Sequence, residues 1–219
     1  MSVHLLRDLE YLKTQILDMG ALVETAVNKA IVALLDRRTA LAEEVIAGDD
    51  LIDDKEVMVE IECQKILALH HPVATDLRFI LTVLKVNNDL ERAGDLAVNI
   101  AERARYLGER PALRIPDRIK PLADRARAML RDCLDSFVNQ DTALARSVRS
   151  QDDAVDELNR QTFSDVEQAM REDPETIERL MHVLSSSRHL ERLADLATNI
   201  AEDVVFLVEG QVIRHRRQA

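Results

Sequence analysis

Aromatic side chains are scarce in this chain. There is no Trp, and two Tyr and four Phe leave an aromatic fraction of 3%. Turn-formers are scarce too, with five Gly and five Pro in 219 residues. Sheets draw on aromatic and β-branched faces and on frequent turns, so both shortages argue for long helices instead. Plentiful Ala, Leu, Arg and Glu point the same way. The only cysteines, Cys63 and Cys133, lie far apart, each inside a helical pattern. That excludes a disulfide framework or a zinc-ligand cluster and predicts buried thiols in a reducing compartment. No run of about 18 apolar residues occurs, so no transmembrane segment is expected. The first residues lack the charged-then-apolar pattern of a secretory signal, and a cytoplasmic location is therefore expected. Basic residues are outnumbered, 29 against 40 acidic, for a net charge of −11. Such a surface repels phosphate backbones, which excludes direct nucleic-acid binding and favours cations or basic partner surfaces. One basic run, Arg214-His215-Arg216-Arg217, reads as a solvated tail.

What is present is a duplication. Leu90-Glu91-Arg92-Ala93-Gly94-Asp95-Leu96-Ala97-Val98-Asn99-Ile100-Ala101-Glu102 returns 100 residues later as Leu190-Glu191-Arg192-Leu193-Ala194-Asp195-Leu196-Ala197-Thr198-Asn199-Ile200-Ala201-Glu202, with ten of thirteen positions identical. Whatever the segment does, it is expected to do twice.

The length allows one large or two small domains. Residues 3–37 form a long helical pattern, with Leu5, Leu9, Leu12, Ile16, Met19, Val23, Val27, Ala30 and Leu34 in a coiled-coil-like stripe. This stripe is free either to pack in its own bundle or to pair with a second chain. Thr39 is expected to cap a short helix, 40–47, and Asp49 or Asp50 to cap the next, about 50–70, which His70-His71-Pro72 ends. Ile52, Val59, Cys63 and Ile66 should face inward along it. A third long helix is expected from Thr75 or Asp76 to about 107, closed by Gly108. Residues 109–116, with two prolines, read as a linker. The plan then repeats as 117–139, a short helix at 141–149 capped by Asp141, 152–171, and 175–208 closed by Gly210. The fold class expected is all-α: two tandem pseudo-symmetric three-helix bundles, 1–108 and 117–219, with six main helices.

Each half supplies two acidic i, i+4 pairs: Asp49/Asp53 and Glu91/Asp95 in the first, Asp152/Asp156 and Glu191/Asp195 in the second. Residues four apart sit one turn above each other on a helix, and Asn88, Glu91, Asp95, Asn99 and Glu102 fall within a strip about 80° wide. Its counterpart holds Glu191, Asp195, Asn199 and Glu202. Like charges at this spacing repel by a few tenths of a kcal/mol each. A bound cation would remove the repulsion. Carboxylate and amide oxygens suit hard ions such as magnesium, calcium, manganese or iron, with zinc possible. Solvated acidic faces are also common without metal, Arg92 or Arg192 could neutralise these, and Asp49 and Asp152 have a competing role as helix caps.

Enzymatic readings find little support. There is no Gly-rich phosphate loop, no His-Glu-x-x-His and no Glu-x-x-His, the last of which a ferritin-like di-iron bundle would need. His70 and His71 read as helix-end cations, and no base is read beside Ser185-Ser186-Ser187.

Taken together, the doubled three-helix plan, the twice-occurring acidic-x-x-x-Asp motif (Glu91/Asp95, Glu191/Asp195), the Asp-rich starts at 49–54 and 152–157, and His71-Pro72 followed by Asp76-Leu77-Arg78 resemble the PhoU family of bacterial phosphate-transport accessory regulators. The resemblance covers nearly the whole chain. It implies a cytoplasmic regulator rather than an enzyme, which restrains the phosphate-starvation response and links the phosphate ABC transporter, through its ATPase subunit, to a sensor histidine kinase. It implies a homodimer, and metal ions on Glu91, Asp95, Glu191 and Asp195, with Asp49, Asp53, Asp152 and Asp156 opposite; Asn99, Glu102, Asn199 and Glu202 are possible further ligands. The two halves depart from each other where Glu172-Asp173-Pro174 replaces His70-His71-Pro72. For Arg78, a structural ion pair at the helix start stands beside a partner contact. Two alternatives remain: a metal-free adaptor whose acidic faces dock basic helices, and a metal-dependent phosphohydrolase.

Overall fold

The computed structural model describes residues 3–213 and contains only helices and connections among them. The basic run Arg214–Arg217 lies outside the described residues. The helices are α1 (Val3–Asp36), α2 (Thr39–Ala47), α3 (Asp49–His70), α4 (Ala74–Gly108), α5 (Ile119–Asn139), α6 (Thr142–Arg149), α7 (Asp152–Glu172) and α8 (Ile177–Glu209), with a 3-10 turn at Pro174–Thr176. The six long helices are those expected, three to a repeat, each repeat adding one short helix. Among the described residues no helix is long and apolar enough to cross a membrane.

Each repeat wraps its other helices around its last one. Helices α1, α2 and α3 pack on α4; α5, α6 and α7 pack on α8; and α4 packs on α8. The α1 stripe is consumed inside this bundle, with Leu12, Met19, Val23, Val27 and Ala30 fully buried. Ile52, Val59, Cys63 and Ile66 do face inward along α3. The apolar core is one cluster running through both repeats. Truncating one of its large members, such as Leu90, to Ala costs about 2–5 kcal/mol in such settings. Both thiols are buried, and burial pushes Cys63 up to about 12 and Cys133 further up.

Helices α4 and α8 are antiparallel. Arg78, early in α4, donates to the Leu207 carbonyl late in α8 at 3.3 Å. Lys85 pairs with Asp203 at 3.2 Å, and Tyr106, late in α4, stacks on His182, early in α8, with centroids 3.7 Å apart. Arg78 also lies 5.9 Å over the Phe206 ring. It therefore holds one repeat to the other, in place of the ion pair at its own helix start that the sequence suggests.

Several expected caps are absent. Thr39 is the first residue of α2 and makes no capping bond; its methyl group instead packs where Gly108 leaves room. Helix α3 begins at Asp49 itself, behind Gly48, and α7 at Asp152, behind Gln151, with no side-chain cap at either. Gly48 has φ −92°, ψ −1° and Gln151 φ −90°, ψ −11°, so the chain turns from short helix to long helix without the extended residue that a capping side chain needs. Asp141 is extended and does cap α6, accepting from the amides of Ala143 and Leu144. Helix α4 starts at Ala74 behind an extended Val73, and Gly108 is its last residue, with Glu109 as the C-cap. His70 is no free helix-end cation: its Nε2 lies 2.9 Å from Asp8, joining α3 to α1. The hydrogen bond from His70, chief among several causes, holds the Asp8 carboxyl below its ordinary range.

Candidate functional site

The duplicated segment adopts the same setting twice. In both copies Leu90/Leu190, Ala97/Ala197 and Ile100/Ile200 are buried, while Asp95/Asp195 are exposed and Glu91/Glu191 half-buried at the seam with the neighbouring helix. A turn of α3 or α7 completes each cluster, because the unused capping role leaves Asp49 and Asp152 free to face α4 and α8.

In the first repeat, burial raises the Glu91 carboxyl, followed by the charges of Asp95, Asp53 and Glu56. Burial likewise raises Asp49, followed by Asp53 and Asp95. The four expected residues therefore share one electrostatic cluster, with Glu56 as an acidic neighbour that the sequence reading missed.

The second repeat is tighter. Asp156, Glu191 and Asp195 each offer a carboxylate oxygen, all within 4.8 Å of one another. It is the one such group of three among the described residues. Asp195 is pushed up to about 6, first by desolvation against the packed helices and then by Glu191, Asp152 and Asp156. Glu191 is raised by burial and Asp156, and Asp152 by burial and Asp156. Asp152 also accepts from Thr198 Oγ1 at 3.2 Å. Convergent carboxylates whose charges repel one another are a donor set for a hard cation, which would offset the repulsion. The absence of His or Cys donors in this set weighs against zinc.

The further ligands expected from the sequence are less well placed. Glu102 pairs with Arg103 at 2.5 Å, and Glu202 with Arg149 at 3.1 Å in a largely buried pair. Asn99 donates back to the Asp95 carbonyl at 2.8 Å. Asn99 and Asn199 line a depression of about 260 Å³ where α4 crosses α8, together with Arg92, Asp95, Arg192 and Asp195. The inner carboxylates of the two clusters thus open onto one shared space. Arg92 is turned to Asp89, 3.4 Å away.

Three polar contacts were not foreseen. Asn87 donates to the Glu56 carbonyl at 2.9 Å, and at the matching place Ser187 donates to Asn159 at 2.5 Å. Aligning the repeats would have revealed that these positions change together. Ser185 Oγ lies 3.2 Å from His189 Nε2, so a base does stand beside the serine run. Its i, i+4 spacing is the signal that was overlooked. The buried Nδ1 of His189 makes no hydrogen bond among the described residues, and burial pushes this histidine down to about 4. An imidazole without an orienting acid lacks the third member of a nucleophile relay.

The family model of the PhoU domain matches the chain twice, over residues 16–104 and 119–204. A phosphate-specific transport system accessory protein PhoU homolog of Aquifex aeolicus is 44% identical, covering 97% of this chain and 96% of the relative. A homolog bearing the same description in Pseudomonas putida is 39% identical, over 95% of this chain and 82% of its own. The crystal structure of PhoU from Pseudomonas aeruginosa superposes with a TM-score of 0.90 at 38% identity, covering 94% of this chain and 99% of that one. That of the phosphate transport system regulatory protein PhoU from Streptococcus pneumoniae gives 0.87 at 29% identity, over 95% and 98%.

Proposed function

The chain belongs to the PhoU family, and on that premise we propose that it is a cytoplasmic regulator of phosphate uptake that binds metal ions on its acidic helix faces. In this reading it is a signalling adaptor, not an enzyme. It links the ATPase subunit of a phosphate ABC transporter to a sensor histidine kinase and restrains the response to phosphate starvation. The carrying observation is the doubled carboxylate cluster, tightest at Asp156, Glu191 and Asp195. A cation there would join α7 to α8, and its counterpart would join α3 to α4, making the rigidity of each repeat depend on metal. Self-association as a homodimer is part of the proposal; the α1 stripe is buried within its own bundle, whereas Leu6, Tyr11 and Leu22 on the same helix are exposed.

The pathway is tested in a deletion strain carrying a phosphate-starvation reporter. Loss of the gene should switch the reporter on in phosphate-replete medium, and the wild-type chain should switch it off again. A reporter still repressed after deletion would sink the regulatory reading. Purified protein with Asp156→Asn, Glu191→Gln and Asp195→Asn separates metal from pure docking. If metal content and chelator response match wild type, the acidic faces act without metal.

A further inference from the structure

The second repeat has a cleft whose chemistry the first repeat does not share. It is a space of about 500 Å³ between α7 and α8, lined by Asp156, Asn159, Arg160, Phe163, Arg188 and Glu191. That volume suits a small organic ligand. At the matching positions the first repeat has Asp53, Glu56, Val57, Glu60, Asn88 and Glu91. The same surface therefore carries four carboxylates and no cation in one repeat, against two carboxylates and two guanidinium groups in the other. The change is concentrated where it alters recognition. Buried positions keep their character, with Ile52 against Val155 and Cys63 against Val166.

Contacts within the fold do not account for Arg188 or Phe163. Arg188 makes no hydrogen bond or ion pair at contact distance with a described residue, and it is exposed. Its charge is felt by Glu191, so it stands beside the carboxylates without being consumed by them. Arg160 is paired with Glu157, one turn away on its own helix. Phe163 is 52% exposed, one of only four Phe in the chain. An exposed ring beside one unengaged guanidinium, Arg188, and one held only by a solvent-exposed ion pair, Arg160, is a stacking platform beside an oxyanion site.

We propose that this cleft binds a nucleoside polyphosphate as its divalent-metal complex: the base against Phe163, the phosphates on Arg188 and Arg160, the cation shared with Asp156, Glu191 and Asp195. The proposal rests on the metal reading above for its cation. Magnesium is commonly held by one or two protein carboxylates plus phosphate oxygens, and a set of three carboxylates leaves it that room. A lone phosphate would make no use of the ring, and an apolar ligand would make no use of the two arginines.

The test is calorimetric titration of the full chain with ATP and with GTP in magnesium, alongside magnesium tripolyphosphate and free adenosine. One of the two nucleotides should bind at a single site, and tripolyphosphate about tenfold more weakly. Arg188→Asn, the first-repeat residue, should weaken nucleotide binding at least tenfold. Phe163→Ala should weaken the nucleotide similarly and leave tripolyphosphate unchanged. Both side chains are exposed, so both variants should fold as wild type, which circular dichroism verifies. Manganese alone is titrated in parallel. If manganese binds and neither nucleotide does, this proposal fails and the metal reading stands. If nothing binds, both fail. Nucleotide binding indifferent to both variants also overturns the cleft assignment.

Discussion

Thr198 donates its hydroxyl to Asp152 across the α7–α8 seam at 3.2 Å, and the counterpart of Thr198 in the first repeat is Val98, which has no hydroxyl to give. This one difference bears on the acidic clusters directly. The bond holds Asp152 in place and favours its ionised form, against the burial and the negative neighbours that favour protonation. Beside Asp152, and only in the second repeat among the described residues, carboxylate oxygens of Asp156, Glu191 and Asp195 converge within 4.8 Å.

Thr198→Val should therefore weaken divalent binding at the second cluster by about tenfold, as loss of a supporting partner to a ligand commonly does. Calorimetric titration with manganese measures this. An unchanged affinity would show that Asp152 takes no part in the site.

The proton load of the apo site should appear in stability. Asp195 has its folded value raised from 3.8 to about 6. The stability it contributes is fully present below 3.8 and is lost as pH rises through about 6. Asp195→Asn keeps a neutral side chain at every pH. In EDTA, the stability of this variant relative to wild type should thus rise between about pH 4 and pH 6 and level off above. Urea denaturation at pH 4 and pH 7.5 gives the comparison. A pH-independent difference would contradict it.

Glu202 should separate structure from site. It is held by Arg149 at 3.1 Å, with both side chains largely buried. Glu202→Gln should cost about 1.5–3 kcal/mol, the range for a hydrogen bond to a charged group, while manganese affinity changes little. A large loss of metal without loss of stability would return Glu202 to the ligand set.

Gly108 is set by a close approach. A β-carbon there would lie 2.3 Å from the Thr39 methyl group. Alanine would otherwise favour this helix by about 0.5–1 kcal/mol. Gly108→Ala should nevertheless destabilise by about 1–2 kcal/mol, within the range of overpacked sites. Thr39→Ser in the same chain removes the methyl and should recover most of the loss, as thermal melts of the single and double variants would show.

Much of this was legible in the sequence, for physical reasons. Ile52, Val59, Cys63 and Ile66 keep the helical period because one face of α3 must be buried, and that period also carries Asp49 and Asp53 to the seam with α4. The duplication carries both clusters, at an offset of 100 for Glu91/Asp95 and of 103 for Asp49/Asp53. Residue type and position favour caps at Asp49 and Asp152, and only the backbone angles of Gly48 and Gln151 rule them out. The inequality of the repeats was not legible. Both present the same four acids, and what differs is a hydroxyl at Thr198 and the residues facing the α7–α8 cleft. Glu202 looked equivalent to its neighbours along the strip until Arg149, from another helix, claimed it.

The most direct test of the account is a manganese titration, read by calorimetry and electron paramagnetic resonance, of three metal-stripped proteins. These are wild type, the second-repeat triple Asp156→Asn/Glu191→Gln/Asp195→Asn, and the first-repeat triple Asp53→Asn/Glu91→Gln/Asp95→Asn. The account predicts that the second-repeat triple removes the tightest binding and that the first-repeat triple leaves it in place. Equal, unperturbed binding in all three, or none in wild type, would contradict it.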